Sequence, residues 1–425
     1  MSVSMQARLP TSRWSLGAVL ASAFVVALGY GIVLPVLPMM VERLAGSTDP
    51  AFNARQIGLL TAAYVAAPVV AAFLWGKWSD LIGRRPVLVI GLIGFAVTLA
   101  ASALAPSLLV LYIGRILNGG FAAAMGPTAL AFIADTERED DRRTRVFGWM
   151  SMASIAGFLV GPMLGGLVAE LKLDLGVAAI PPQTIPFLLA SGLAVAAALG
   201  VWSVLPGRML PGPRVETSKP GSSMFVSGEI RLLALAAVTA AGLGAFEVGL
   251  TLRNVELAMG PAALGLMFAT CSVVMFAVQG LVFSPLVKPA ATRLLVAPAF
   301  LVMAIGLAVM PTLAGLTEML LAVSVVSASA GVISPLLAYW VSRISARSQG
   351  MELGIQSAAV SLGLSVGSAA AGLLFGSQRL EGAAFLVAAA AMGLAAIASL
   401  NLPLPLAPAR HEARPAPADQ TDAAV

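Results

Sequence analysis

Long apolar segments recur along the whole chain, and each is long enough to cross a lipid bilayer as a helix. A helix needs about 20 mostly apolar residues to span the hydrocarbon core of a membrane. The chain of 425 residues is 59% hydrophobic and 11% charged, whereas a soluble domain carries about 25% charged residues. The composition therefore predicts a polytopic membrane protein.

The apolar segments number twelve, which predicts an all-α membrane protein with twelve transmembrane helices. The two halves of the chain resemble each other in sequence. Gly161-Pro162 in the fifth segment corresponds to Gly367-Ser368 in the eleventh. Such a repeat is typical of two pseudo-symmetric six-helix bundles with a binding site near the bilayer midplane. The predicted spans are 14–40, 57–75, 87–105, 108–134, 146–169, 185–205, 231–252, 261–286, 293–311, 316–341, 351–376 and 382–402.

Composition shifts along the chain predict four regions. Residues 1–205 form the first six-helix bundle and residues 230–403 form the second. Residues 206–229 are rich in Pro, Gly and Ser, which is typical of a flexible linker, here on the cytoplasmic side. Residues 404–425 are rich in Pro, Ala and charge, which predicts a disordered cytoplasmic tail.

The distribution of basic residues predicts the orientation. When both termini are placed in the cytoplasm, most of the 25 Lys and Arg residues fall on the inner side, as the positive-inside rule requires. The net charge of +5 then reflects topology and predicts no nucleic-acid partner. All six tryptophans lie at predicted inner ends of spans, where indole rings contact lipid headgroups. We expect a multi-pass membrane protein with both termini in the cytoplasm.

The sequence offers few groups for enzymatic or metal chemistry. Cys271 is the one cysteine and His411 the one histidine, so the sequence predicts no disulfide and no metal site. It contains no phosphate-binding glycine loop of the P-loop type and no nucleophile–base pair. We therefore expect neither an enzyme nor an ATP-driven pump, and no cofactor.

One polar stretch, residues 76–86, interrupts the apolar sequence between the second and third spans. It contains Gly76, Asp80, Gly83, Arg84 and Arg85, and it predicts a tight loop because glycine permits sharp turns. The pattern G-x-x-x-D-x-x-G-R-R resembles the loop signature of the major facilitator superfamily of secondary transporters.

The resemblance implies a role for this stretch as a conformational latch between the bundles. Asp80 and Arg84 would carry it, with Asp135 at the inner end of the fourth span as a partner. Arginine can hold a carboxylate through two hydrogen bonds. The alternative is that these charges only set the topology.

Arg115 lies near the middle of the fourth span, in Leu111-Tyr-Ile-Gly-Arg115. An arginine there costs about 2.5–3.5 kcal/mol on insertion scales, so it should face a cavity or a partner. The run resembles the superfamily's span-four motif, which is linked to proton transfer. Alternatively, Arg115 extends its side chain to the outer face. Nearby Asn118 is predicted to line the cavity.

The fifth span contains the string Gly157-x-x-x-Gly161-Pro162-x-x-Gly165-Gly166. Small residues at this spacing permit close helix contact, and a generic packing face is one interpretation. The full string resembles the motif that marks proton-coupled exporters of the superfamily.

The first span reads Leu28-Gly-Tyr30-Gly-Ile-Val-Leu-Pro35, which resembles the first-span signature of the twelve-span drug/proton antiporters. From about Pro35 to Gly166 the chain resembles bacterial tetracycline/proton antiporters. Those proteins carry acids in spans one, three and nine. Here Val26 and Thr98 take the first two positions and residues 293–311 contain no acid, so tetracycline is a poor substrate candidate.

Glu247, in the seventh span, is the one acid well inside a predicted span, since Glu318 and Glu352 lie within the first three residues of theirs. Apolar surroundings favour the protonated form of a carboxyl group, which suggests that Glu247 couples proton entry to substrate release. The alternative is an ion pair with Arg253 near the outer interface. Three further residues are candidates to line the cavity, and the alternative for each is ordinary packing between helices: Tyr30, Gln279 and Gln356.

Together these features predict a proton-coupled antiporter that exports a small, partly hydrophobic compound by alternating access. Its partners would be the substrate, protons and membrane lipid, and we expect a monomer. One alternative is export of an endogenous metabolite or a siderophore-like chelator. Another is a membrane receptor or assembly protein that transports nothing.

Overall fold

The computed structural model describes residues 13–136, 140–170, 181, 183–207, 227–282, 292–344, 349–375 and 382–400. Fourteen α-helices account for nearly all of these residues, and none of them lies in a strand. The predicted all-α class is therefore confirmed. Most of the predicted linker and the whole predicted tail lie outside the described residues.

The helices form two sets that pack mainly among themselves. We call the first set the N-terminal unit: α1 (Arg13–Val33), α2 (Leu37–Ala45), α3 (Pro50–Ile82), α4 (Arg84–Ala103), α5 (Leu108–Ala122), α6 (Met125–Thr136), α7 (Asp140–Ala169) and α8 (Thr184–Val204). We call the second set the C-terminal unit: α9 (Ser227–Glu256), α10 (Pro261–Val282), α11 (Thr292–Val309), α12 (Leu316–Ile344), α13 (Gln349–Leu374) and α14 (Ala383–Ser399). A short 3-10 helix, Met310–Thr312, follows α11.

Eleven segments of the described chain are long and apolar enough to cross a membrane. Helices α5 and α6 count as one of them, Leu108–Thr136, since only two residues separate them. The twelfth predicted span corresponds to α14, which is apolar but has only 17 residues. The protein is therefore a multi-pass membrane protein.

Two predicted boundaries were wrong. The first span was expected to reach residue 40, but α1 ends at Val33, and Pro38 occupies the first turn of the short helix α2. The polar stretch 76–86 was expected to be a loop, but α3 remains helical to Ile82 and α4 begins at Arg84. Only Gly83 separates the two helices, with a φ of 97° that residues with a Cβ atom rarely adopt.

The six tryptophans do not all face the membrane interface. Trp75 and Trp340 are buried, with 7% and 8% of their surface exposed. The indole Nε1 of Trp75 donates a hydrogen bond of 2.7 Å to the carbonyl oxygen of Gly120, which joins α3 to α5. The headgroup role therefore fits only the four exposed rings: Trp14, Trp78, Trp149 and Trp202.

The two units meet along two pairs of helices, α3 with α13 and α7 with α10. Glycine allows the backbones to approach closely at both places. A Cβ atom at Gly58 would lie 2.6 Å from the Cα atom of Gly372, and one at Gly265 would lie 2.6 Å from the carbonyl oxygen of Pro162. Small residues at helix contacts are the usual means of packing helices in lipid.

The two glycines of the polar stretch should respond differently to substitution. Gly83→Ala places a Cβ atom on a strained backbone, which costs about 1–3 kcal/mol, so we expect a lower unfolding temperature in detergent. Gly76→Ala is the matched control, because Gly76 lies within α3 and no atom lies within 4 Å of an added Cβ. Equal unfolding temperatures for the two variants would contradict this account.

Candidate functional site

Arg84 lies at the centre of a charged cluster on the N-terminal unit. Its Nη1 atom lies 2.7 Å from Asp80 Oδ1 and 2.9 Å from Ser79 Oγ, and its Nε atom lies 2.9 Å from Asp135 Oδ2. The break at Gly83 places Arg84 beside the last turn of α3, and Asp135 extends from the last turn of α6. Only 5% of Arg84 is exposed, so these partners compensate a buried charge.

These ion pairs lie within one unit, whereas the predicted latch joins the two bundles. Asp80, Arg84 and Asp135 bring α3, α4 and α6 together. Arg85 lies apart from this cluster. It donates a hydrogen bond to the carbonyl oxygen of Trp202, and its guanidinium lies 4.3 Å from the centre of the Trp202 ring. A cation at the C-terminus of α8 is stabilised by the helix dipole.

The glycine-rich string of the fifth span packs α7 against α1. Gly157, Gly161 and Gly165 each face a backbone carbonyl of α1, and a Cβ atom at Gly161 would lie 2.6 Å from the carbonyl oxygen of Leu28. The ring of Pro162, on α7, also contacts Gly31, on α1. The repeat of four residues on both helices explains this continuous close contact.

Gly166, the last residue of that string, contacts the other unit. An added Cβ atom there would lie 3.2 Å from the Cα atom of Ala262 and would overlap the carbonyl oxygen of Pro261, both on α10. The string therefore serves two surfaces, one inside the N-terminal unit and one between the units.

Glu247 forms a hydrogen bond between the two units. Its Oε2 atom, on α9, accepts a bond of 2.8 Å from the Tyr30 hydroxyl group, on α1. The alternative interpretation, an ion pair between Glu247 and Arg253, is wrong in this structure. Arg253 instead lies 2.8 Å from Glu256 Oε2 and donates to two backbone carbonyls.

Tyr30 belongs to a series of aromatic rings in contact, and this series includes residues of both units. The ring of Tyr30 stacks on Tyr64 at 4.9 Å with an interplanar angle of 16°, and on Phe158 at 5.8 Å with an angle of 20°. Phe158 then meets the edge of Phe268, on α10, at 6.4 Å. Such offset and edge contacts are favourable aromatic geometries. Sequence reasoning missed Tyr64, Phe158 and Phe268, since nothing in one sequence distinguishes them from ordinary packing residues.

Arg115 lies at the far end of this stack. Its guanidinium carbon lies 4.4 Å from the centre of the Tyr64 ring, within the range of a cation–π interaction. Its Nε atom donates a long bond of 3.5 Å to the carbonyl oxygen of Leu60, and its terminal nitrogens Nη1 and Nη2 are buried without a hydrogen-bond partner. Because only 1% of Arg115 is exposed, the alternative of a side chain reaching the outer face is wrong.

Asn118 does not line a cavity in this structure, which corrects the prediction. Only 1% of it is exposed. Its Nδ2 atom donates bonds of 3.0 Å to the carbonyl oxygen of Phe95 and to Thr98 Oγ1, and these bonds tie α5 to α4. A short polar side chain inside a helix bundle finds its partners on the neighbouring helix. Gln279 on α10 and Gln356 on α13 are half-buried and remain candidate cavity residues.

A helical membrane protein with these two units and these motifs has the architecture of a secondary transporter. The family model described as "Major Facilitator Superfamily" matches residues 19–291, which is more than half of the chain. The chain therefore belongs to the Major Facilitator Superfamily, as the motifs predicted, and is a membrane transporter rather than an enzyme.

The sequence identities to individual proteins are modest, or they cover only part of the chain. The chain is 27% identical to Multidrug resistance protein 2 of Bacillus subtilis over 84% of this chain and 87% of that protein. It is 39% identical to the class E tetracycline resistance protein of Escherichia coli, but over only 36% of each chain. The inward-open structure of the E. coli xylose transporter XylE shares the fold, with a TM-score of 0.72 and 17% identity over 93% of this chain and 98% of that one.

Removing Asp135 should destabilise the protein because it breaks a pair with a buried arginine. We expect Asp135→Ala to lower the free energy of unfolding by about 3 kcal/mol, measured by denaturant unfolding in detergent. Glu256→Ala is the matched control, since that carboxylate also pairs with an arginine but is 50% exposed, and exposed pairs contribute at most about 1 kcal/mol. A smaller loss for Asp135→Ala than for Glu256→Ala would contradict the structural role of the cluster.

Proposed function

We propose that the protein is a proton-coupled antiporter that exports a small, partly hydrophobic compound by alternating access, with Glu247 as the proton-carrying group. The observation that supports this most directly is the hydrogen bond between Tyr30 and Glu247, because it joins the two units. The relatives named for multidrug and tetracycline resistance and the glycine-rich string of α7 support export as the direction of transport.

The chemistry of Glu247 suits a proton carrier. Its neighbours along α9, Phe246 and Val248, are buried and apolar, and an ionised carboxylate in such surroundings costs much free energy unless a donor compensates it. Tyr30 supplies that donor. A hydrogen bond to an ionised group is stronger than one to a neutral group, so protonation of Glu247 weakens the bond and loosens the contact between the units.

Arg115 is the second charged group of the proposed coupling. Its charge is buried against Tyr64, which stacks on Tyr30, which in turn bonds to Glu247. Coulomb interactions act strongly in a medium of low dielectric constant. A change in the charge of Glu247 would therefore also affect the interactions of Arg115, and in this proposal Arg115 aids the coupling in that way.

The free energy of proton entry is sufficient to maintain a concentration gradient of the exported compound. One proton that crosses a potential of 100 mV releases about 2.3 kcal/mol, and about 1.4 kcal/mol corresponds to a tenfold ratio. The exchange of one proton for one neutral compound can therefore sustain a gradient of about fiftyfold.

The remaining features complete the proposal. The Asp80–Arg84–Asp135 cluster would act as a latch by keeping α3, α4 and α6 rigid where one end of the pathway opens and closes. Gln279 and Gln356 would line the cavity. The protein would be a monomer of the bacterial inner membrane with both termini in the cytoplasm, divided into bundles 1–205 and 230–403.

Glu247→Gln tests the proton-carrying role. The amide has a similar shape and its oxygen still accepts from Tyr30, but it cannot carry a proton. We expect uptake into proteoliposomes driven by an imposed pH gradient to fall at least tenfold across a panel of partly hydrophobic compounds, while exchange without a gradient persists. Glu256→Gln, at the exposed end of α9, should retain activity.

Full gradient-driven transport by Glu247→Gln would contradict the proposal. Absence of gradient-dependent flux in the unmodified protein, with every compound of the panel, would instead favour the receptor or assembly protein.

Tyr30→Phe tests the bond between the units. It removes the hydroxyl group but keeps the stacked ring, and the loss of a hydrogen bond to a charged group costs about 1.5–3 kcal/mol. We expect gradient-driven flux to fall about tenfold or more. Tyr64→Phe is the matched control, because it preserves the ring under Arg115 and should leave flux within about twofold. Equal losses in the two variants would contradict a special role for the bond between Tyr30 and Glu247, because only Tyr30 makes that bond.

A second candidate function is export of an endogenous metabolite or chelator. Thr98 and Val26 stand where tetracycline antiporters carry acids, and Thr98 is engaged with Asn118, so the tetracycline site is not reproduced. A deletion strain distinguishes the two: greater drug susceptibility favours drug export, and intracellular accumulation of a native compound favours this second function.

A further inference from the structure

Glu170 forms another polar contact between the units, besides the Tyr30–Glu247 bond and the bond from Ser365 Oγ to the carbonyl oxygen of Ala62. It follows the last residue of α7, and its Oε1 atom accepts a hydrogen bond of 3.2 Å from the backbone N–H of Ala262. Ala262 is the second residue of α10, in the other unit. This contact lies at the opposite end of the molecule from Arg84, since α7 begins beside the Asp135 end of α6 and runs for 30 residues.

The start of α10 lacks a cap of its own. The first N–H groups of a helix have no partner within it, and a side chain just before the helix usually accepts from them. Here that position is Gly260, which has no side chain and a φ of 86°. Pro261 has no N–H group, so Ala262 carries the first N–H of α10. The carboxylate of Glu170 supplies from the N-terminal unit the cap that the local sequence lacks.

The backbone geometry makes this contact possible. Gly166 lies one helical turn before Glu170, on the same face of α7. Its lack of a side chain lets α7 approach the start of α10, where an added Cβ atom would lie 3.2 Å from Ala262 Cα. The negative charge of Glu170 also faces the positive end of the α10 dipole, which is a favourable arrangement.

We infer that Glu170 is a gate residue that holds the two units together at this end by capping α10 across the interface. The bond forms when the end is closed and must break each time it opens. Its removal shifts the balance of states toward the open end. The inference goes beyond the proposed proton coupling and depends only on separation of the units at this end during the transport cycle.

The test is the distance between spin labels on the two units. It is measured by pulsed electron paramagnetic resonance on the full chain in lipid nanodiscs. One label is attached at Thr48→Cys, ahead of α3, and the other at Val255→Cys, near the end of α9, where both side chains are exposed. The background carries Cys271→Ala, because Cys271 is the one native cysteine.

Loss of a helix cap costs about 1 kcal/mol, which corresponds to about a fivefold change in a population ratio. We expect Glu170→Ala to raise the ratio of long to short distances about fivefold. Glu170→Gln should produce a smaller increase, because the amide oxygen can still accept from Ala262.

Glu318→Ala is the matched control. The Glu318 carboxylate accepts at 3.4 Å from the N–H groups of Ala314 and Gly315, ahead of its own helix α12, so it caps at the same end but within one unit. Its removal should leave the distances unchanged. The inference is overturned if Glu170→Ala leaves the distances of the parent unchanged, or if Glu318→Ala shifts them equally.

If Glu170→Ala does not yield folded protein, the Gln variant decides in the same way. The measurement uses neither a pH gradient nor a substrate, so failure of this inference is distinct from failure of Glu247 as the proton carrier.

Discussion

The cost of placing a charge inside a lipid bilayer constrains this structure more than any other interaction. An ionised side chain within a membrane span must find a partner, because neither lipid nor apolar packing replaces water. Arg115 meets this requirement with the face of Tyr64, and Glu247 meets it with the hydroxyl of Tyr30. Both partners are aromatic, and they stack on each other. A cation and an acid from different units thus share one continuous set of contacts.

Close backbone packing is the second requirement, and the chain uses it in two ways. Between α1 and α7 the glycines fix two helices of the same unit against each other, with Gly157, Gly161 and Gly165 facing successive carbonyls. Between α7 and α10, and between α3 and α13, glycines bring the two units together at Gly166 and Gly58. The first contact can remain constant through a transport cycle. The others lie on a surface that the proposed alternating-access cycle would have to open.

The sequence predicted the helical class, the approximate spans and the family, because apolar length and local motifs determine these. It predicted that Asp80, Arg84 and Asp135 are partners through a resemblance, and the structure places them in contact. It did not predict that Gly83 alone separates α3 from α4, since charged residues do not reveal whether a helix continues. Nor did it place Asn118 between α4 and α5, or Tyr64 beneath Arg115. Which side chains face each other across helices is a property of packing that a single sequence does not express.

The free energies of the contacts between the units are small enough for a transporter that changes conformation. A hydrogen bond to a charged group contributes about 1.5–3 kcal/mol, and a helix cap contributes about 1 kcal/mol. The proton that crosses 100 mV supplies about 2.3 kcal/mol, which is comparable with either contact. Under the proposed proton coupling, bonds such as Tyr30–Glu247 and Glu170–Ala262 would be strong enough to select one state and weak enough for proton movement to reverse the selection. An ion pair as deeply buried as that of Arg84, which costs about 3–5 kcal/mol to break, would resist such reversal. Among the described residues, this difference fits the position of the Arg84 ion pairs within one unit and of the Tyr30–Glu247 and Glu170–Ala262 bonds between the units.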